Sequence, residues 1–262
     1  MTEPRRYQVK RYGWIPDLPD HRDALYAAPL PRRGLPVRVD LRRLMPPVYD
    51  QGQLGSCTAN AIGAAVQFAR AQEKKPDFIP SRLFIYYGER VIEGTVDQDS
   101  GAQIRDGMKV VAKLGACPES ATGKPYDWPY DIARFAVAPP KPCHVFALKN
   151  QVILYKRVPR AVAQMKGCLA EGFPWVLGFT VYEGFESPEV AKTGVLQMPG
   201  RNEKVLGGHA VLAVGYDDRQ QRFIVRNSWG RGWGLRGYFT MPYAYLLDEH
   251  LSDDFWTVRV TE

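Results

Sequence analysis

The chain has 262 residues, 45% of them hydrophobic and 24% charged. That is enough to bury a core as one large domain or two small lobes, and it excludes a collagen-like or disordered chain. The net charge of +7 is carried by scattered basic residues, with short pairs at Arg5-Arg6, Arg32-Arg33 and Arg42-Arg43; no nucleic-acid motif accompanies them, so the excess reads as a solvated surface and no nucleic-acid partner is expected.

Residues 1–36 form a Pro- and Arg-rich arm containing Pro4, Pro16, Pro19, Pro29, Pro31 and Pro36. Proline fixes φ and removes a donor, so the arm is predicted to be extended or turn-rich. Tyr7, Tyr12, Trp14 and Tyr26 argue against a solvated tail and for a segment lying on the body. Its first residues lack the apolar core of a secretory signal peptide, and no apolar run in the chain reaches the roughly 20 residues that span a bilayer. The default expectation is a cytoplasmic protein without a membrane span, with non-Sec export left open.

A small, apolar, proline-free stretch from Cys57 to about Ala71 reads as a helix buried nearly all round. Ser56 or a neighbour is its expected N-cap, and the Gly-containing stretch 52–55 supplies a tight loop before it. Further helices are predicted over 81–93 and near 104–114, the latter with Ile104, Met108, Val111 and Leu114 on one stripe. Residues 118–142 read as Pro-rich and aromatic loops that close a helical half, about 37–150. The half from about 151 to 262 reads as strands over 151–158, 175–181, 209–216, 222–227, 237–241 and 255–260, with a helix over 160–172. Helices followed by strands imply an α+β chain of two lobes, and ligand sites favour the seam between such lobes.

The four cysteines are Cys57, Cys117, Cys143 and Cys168. None forms a C-x-x-C pair and their wide spacing is unlike a disulfide framework, so neither a metal site nor a disulfide scaffold is expected, and no cofactor is implied. Three read as inert core thiols. Cys57 differs, because a helix N-terminus lowers a thiol's pKa and its free N–H groups can hold a developing oxyanion. Such a thiol needs a base from elsewhere. His21 lies in the arm, His144 in a Pro-rich loop and His250 in an acidic stretch, whereas His209 starts an apolar strand after Gly207-Gly208. Asn227 ends the partner strand of that hairpin and is placed to orient the imidazole. Asp217-Asp218 reads as hairpin-turn chemistry rather than a metal site.

Gln51-Gly52-Gln53-Leu54-Gly55-Ser56-Cys57 resembles the nucleophile loop of papain-like cysteine peptidases, the peptidase C1 family. Gly208-His209-Ala210-Val211 resembles the family's histidine strand, and Asn227-Ser228-Trp229-Gly230-Arg231-Gly232-Trp233-Gly234 its asparagine motif. The resemblance runs over about 37–239, in the order Cys, His, Asn, from a Val39-Asp40-Leu41-Arg42 that is similar to the usual mature start. It implies a papain-like fold with a helical left lobe, a β-barrel-like right lobe and the active site in the cleft between them. It implies a thiol protease hydrolysing peptide or protein substrates without a cofactor. Cys57 would be the nucleophile, His209 the general acid/base, Asn227 the group orienting the imidazole, and Gln51 a member of the oxyanion hole. Substrate contacts are implied at Gly101, within Ser100-Gly101-Ala102, at Gly208, and at Trp229, which would also shield the Asn227–His209 bond.

Two departures point to a disulfide-poor, bacterial branch: Leu54 stands where papain and the cathepsins carry a disulfide cysteine, and Thr58 replaces the usual aromatic. The arm is far shorter than a usual pro-region. It is expected either to cover Cys57, as a short pro-peptide would, or to lie as a passive strap. Two other functions fit the same residues: a catalytically silent, peptide-binding scaffold, and an acyl transferase or deamidase.

Overall fold

The computed structural model describes residues 12–29 and 34–261; Pro4, Arg5-Arg6, Tyr7, Pro31 and Arg32-Arg33 of the arm lie outside them. Helix α1 (Cys57–Gln72) is the axis of the fold. Ala59, Ala61, Gly63, Ala64 and Ala65 keep it thin, so other elements approach it from every side and its first four turns are buried. Against it lie α2 (Arg82–Glu93) and α3 (Ile104–Lys113). Ser81 caps α2 by accepting from the Phe84 N–H, and Gly94 ends it in the left-handed region at φ 71°.

The other face of α1 meets a seven-stranded antiparallel sheet. Its path runs through β4 (Val152–Arg157), β9 (Ser252–Thr261), β5 (Trp175–Tyr182), β6 (Val205–Asp217), β7 (Arg222–Arg226) and β8 (Tyr238–Pro242). The short strand β2 (Arg38–Asp40) pairs with the far end of β6. The α+β expectation therefore holds. The sheet is open, with β4 and β8 as unjoined ends of its path, so the barrel-like lobe is not a closed barrel. Phe179, Phe185, Trp229, Trp233 and Phe239 pack edge to face or tilted at centroid distances of 5.1–6.1 Å and form the wall into which His209 is set.

Several elements have no readable pattern in the sequence. Strand β6 begins at Val205 rather than His209, because Val205 and Leu206 are exposed and only pairing with β5 (Val181↔Gly207, Tyr182↔Val205) makes them strand. Helix α4 (Lys141–Ala147) lies partly in the stretch read as loop; Pro142 falls in its first turn, where a missing N–H is harmless. Helices α6 (Pro188–Thr193) and α7 (Tyr243–Leu247) are too short for a helical period to show, whereas α5 (Val162–Ala170) falls inside its predicted range. All four cysteines are buried and free. Among the described residues no helix is long and apolar enough to cross a membrane.

The arm follows the seam between the helices and the sheet. Strand β1 (Trp14–Ile15) pairs in parallel with β3 (Ala102–Gln103). Asp17 accepts from the Trp256 indole and the Arg105 N–H, and Asp23 is paired with Arg105 and Arg157. Further along, the Tyr26 N–H donates to Arg157 O while the Arg157 N–H donates to Ala24 O.

Candidate active site

Cys57 is the first residue of α1 and is wholly buried. Ser56 precedes it but is not a capping side chain: its hydroxyl pairs with the Tyr130 hydroxyl at 2.6 Å and accepts from Asn60 Nδ2 at 3.0 Å. The first-turn amides of α1 are thereby left without a side-chain cap. Cys57 Sγ instead accepts from the Ala210 N–H at 3.3 Å, and the nearby Gly13 and Thr58 amides pull its pKa down.

Gln51 is buried and doubly fixed. Its Nε2 donates to Leu54 O at 2.9 Å and its Oε1 accepts from the Ser228 hydroxyl at 2.6 Å. Its backbone N–H donates to Ser228 O at 2.8 Å, which ties the loop before Cys57 to the segment after Asn227. Tyr130 adds a bond from its hydroxyl to Gln51 O.

His209 and Asn227 are both buried, and His209 Nε2 lies 2.8 Å from Asn227 Oδ1. That oxygen also accepts from the Ser228 N–H at 2.8 Å, so it faces both groups and the proton of the ring sits on Nε2. Nδ1 is consequently a bare lone pair, and it has no hydrogen-bond partner although buried. The Trp229 ring lies 5.2 Å from the imidazole at an interplanar angle of 31°, beside the Asn227 bond.

The arm closes this group of residues. The Tyr12 ring packs 5.9 Å from the imidazole and 6.3 Å from Trp229, and its hydroxyl donates to Glu186. Gly13 O accepts from the Ala102 N–H at 2.7 Å. A Cβ on Gly101 (φ 76°) would lie 2.3 Å from that carbonyl, and one on Gly208 would lie 2.5 Å from Trp14 O. Every residue singled out from the sequence (Gln51, Cys57, Gly101, Gly208, His209, Asn227 and Trp229) therefore borders this one region, with residues 12–14 laid through it.

The electrostatic state differs from the sequence expectation. A helix N-terminus was expected to lower the thiol's pKa, but burial pushes it up to about 12 against the pull of the Ala210, Gly13 and Thr58 amides. Burial likewise pushes His209 down to about 4, opposed by the Asn227 bond. With the arm in place, the pair is a neutral thiol and a neutral imidazole.

Sequence reasoning quoted Ala210 and Ser228 within motifs but gave them no role, and it missed Tyr130; all three act through backbone or hydroxyl groups and leave no compositional signal. It named Tyr12 and Trp14 only as aromatics of the arm. It also passed over Glu89, a wholly buried carboxyl that accepts from Thr58 Oγ1 at 2.8 Å and is held well above the usual carboxylate range by burial.

Comparisons with known proteins agree with this arrangement. Residues 35–245 match the family model of the papain family cysteine proteases. Xylellain, a cysteine protease from Xylella fastidiosa, shares 45% identity and superimposes with a TM-score of 0.84 over 96% of each chain. It answers the bacterial resemblance read from Leu54 and Thr58. A peptidase C1-like protein of Acanthamoeba polyphaga mimivirus is 41% identical over 95% of this chain and 87% of its own length. A cathepsin B-like protein of Giardia intestinalis is 32% identical over 77% of this chain, which spans 66% of that protein. A family model that matches most of the chain and relatives at 41–45% identity lead to one conclusion: this chain belongs to the papain family of cysteine proteases.

Proposed function

We propose that the body, residues 37–262, is a cysteine endopeptidase using Cys57, His209, Asn227 and Gln51, and that the arm of residues 1–36 covers its cleft. The main support is the buried His209–Asn227 bond, which leaves Nδ1 bare as the base. When a peptide replaces the arm, the Cys57 proton passes to Nδ1 and Sγ attacks the scissile carbonyl carbon. The oxyanion takes the Cys57 N–H and the Nε2 hydrogen of Gln51 that Leu54 O does not use. Collapse breaks the C–N bond, His209 protonates the leaving amine, and a thioester remains on Cys57. Water then attacks the thioester, giving its proton to His209, and the acid product leaves as the thiol re-forms. Asn227 holds the ring in the Nε2–H tautomer throughout, under the shield of Trp229.

The arm is not itself a substrate in this reading. Its Gly13 carbonyl oxygen is taken by the Ala102 N–H at 2.7 Å and not by an oxyanion-hole donor.

The test is alkylation of Cys57 by iodoacetamide or an epoxide, combined with a peptide library scored for cleavage, deamidation and cross-linking. His209→Ala should abolish labelling, and cleavage should be the product observed. A Cys57 that stays inert even when the arm is displaced by Gly13→Ala would favour the silent scaffold, and deamidation or cross-linking without cleavage would favour the transferase.

A further inference from the structure

Trp14 is only 9% exposed, and what buries it is a slot rather than a general core contact. Its indole lies flat on Gly178 of β5: a Cβ there would fall 1.9 Å from Cε2 and 2.2 Å from Nε1. Gly208 of β6 clears the neighbouring edge, where a Cβ would meet Cε3 at 2.8 Å. Two residues without side chains on adjacent strands thus leave a planar gap. At its floor, Asp254 of β9 accepts from Trp14 Nε1 through Oδ2 at 3.0 Å. Asp254 is wholly buried and sits at φ 60°, a strained conformation for a residue other than glycine. Its other oxygen is taken by Arg157 Nη2 at 3.2 Å.

Trp14 directly follows Gly13, which packs against Gly55, two residues before Cys57. Any peptide on this track therefore puts a side chain into the slot close to the reacting residue. We propose, building on the peptidase reading above, that this slot is the main specificity pocket of the enzyme and selects an indole. Tryptophan is preferred over phenylalanine, and over lysine or arginine.

The preference for a donor follows from Asp254 Oδ2. Oδ2 also accepts from the Asp17 N–H at 2.8 Å, a donor that leaves with the arm; a phenyl ring then leaves that desolvated oxygen unpaired, and a pocket built around a hydrogen bond rejects the analogue that lacks it. The exclusion of cations follows from the charges that stay when the arm leaves. Asp17 and Asp23 depart with the arm. Asp253 and Asp254 remain, bridged by Arg157 and Arg160, and Arg105 loses its Asp23 partner nearby. Three guanidinium groups then face two carboxylates. A neutral donor enters such a site without penalty, whereas an ammonium or guanidinium adds to the surplus.

The experiment uses the full chain with Trp14→Ala, which empties the slot. Indole should raise its melting temperature, while benzofuran, of the same outline but without the N–H, should not; adding Asp254→Asn should erase the difference. On a positional-scanning library of fluorogenic peptides, the same Trp14→Ala chain should show kcat/KM for Trp about 10–100-fold above Phe at one position, with Arg and Lys lower still. Equal stabilisation by indole and benzofuran, or no position that favours Trp, overturns the proposal. Indole discrimination in a chain that cleaves no peptide and whose Cys57 resists alkylation sinks the peptidase reading instead and leaves the indole site standing.

Discussion

Replacing Gly13 by alanine adds one methyl group at the tightest contact between the arm and the body. A Cβ at residue 13 would lie 1.7 Å from Gly55 O and 2.5 Å from its carbonyl carbon. Carbon atoms need about 3.5 Å or more for comfortable contact, so the two backbones must part by about 1.5–2 Å. Neither can yield locally. Gly55 is held by its N–H bonds to Asp99 at 3.0 and 3.1 Å and directly precedes Ser56-Cys57, while Gly13 is held through Ala102. Overpacking of this kind costs about 1–3 kcal/mol, which raises the open population of the arm about 5- to 150-fold. The assay is the iodoacetamide alkylation rate of Cys57, followed by peptide mapping at fixed pH. Leu18→Ala, at an arm residue 72% exposed, serves as the control and should leave the rate unchanged. An unchanged Cys57 rate in a folded Gly13→Ala chain would refute the claim that the arm's docking limits access to the thiol.

Gln51→Ala should lower peptide turnover about 100- to 1000-fold through the lost oxyanion donor. It should spare alkylation by iodoacetamide, whose displacement develops no oxyanion; equal losses in both assays would make Gln51 merely structural. Ser228→Ala frees the Gln51 amide and should reproduce part of that kinetic pattern, read as a fall in kcat larger than any change in labelling. Arg105→Ala removes the closer of the two guanidinium partners of Asp23 and leaves only Arg157 at 3.2 Å; the arm should become more sensitive to limited proteolysis, and persistent resistance would count against the Arg105–Asp23 clamp. Docking should also weaken as pH rises. Burial and the neighbouring Asp17 charge push Asp254 up to about 7, and burial raises Asp17 as well. A carboxyl raised in the docked state binds a proton there and releases it when Asp17 departs and water enters, so docking is favoured below the raised value and lost as pH climbs through it. Amide exchange over residues 13–18, corrected for intrinsic rates, should be faster at pH 8 than at pH 5; the reverse order would contradict this coupling.

The chain by itself determined what depends on neighbours in sequence. The small-residue run after Cys57, the stripe Ile104–Met108–Val111 and the alternating runs around His209 and Asn227 are local periodicities, and they located α1, α3 and the β6–β7 hairpin. The residues around Gln51, Cys57, His209 and Asn227 were legible for the same reason: each sits in a short motif whose residue types are dictated by its chemistry. What only the tertiary structure decided depends on contacts between segments far apart in the chain. The bond between Ser228 and Gln51, the Ala210 amide on Sγ, the open edges of the sheet and the strand character of Val205 leave no periodic mark. The same holds for residues 12–14 lying across the thiol, and for Asp254 beneath Trp14. The protonation state shows the difference most plainly. The sequence placed Cys57 at a helix N-terminus and so implied a lowered pKa, but desolvation by burial outweighs the backbone amides around the sulfur and pushes the thiol up. The sequence pattern read α1 as buried nearly all round, but how far that burial shifts one thiol's pKa is decided by the assembled molecule.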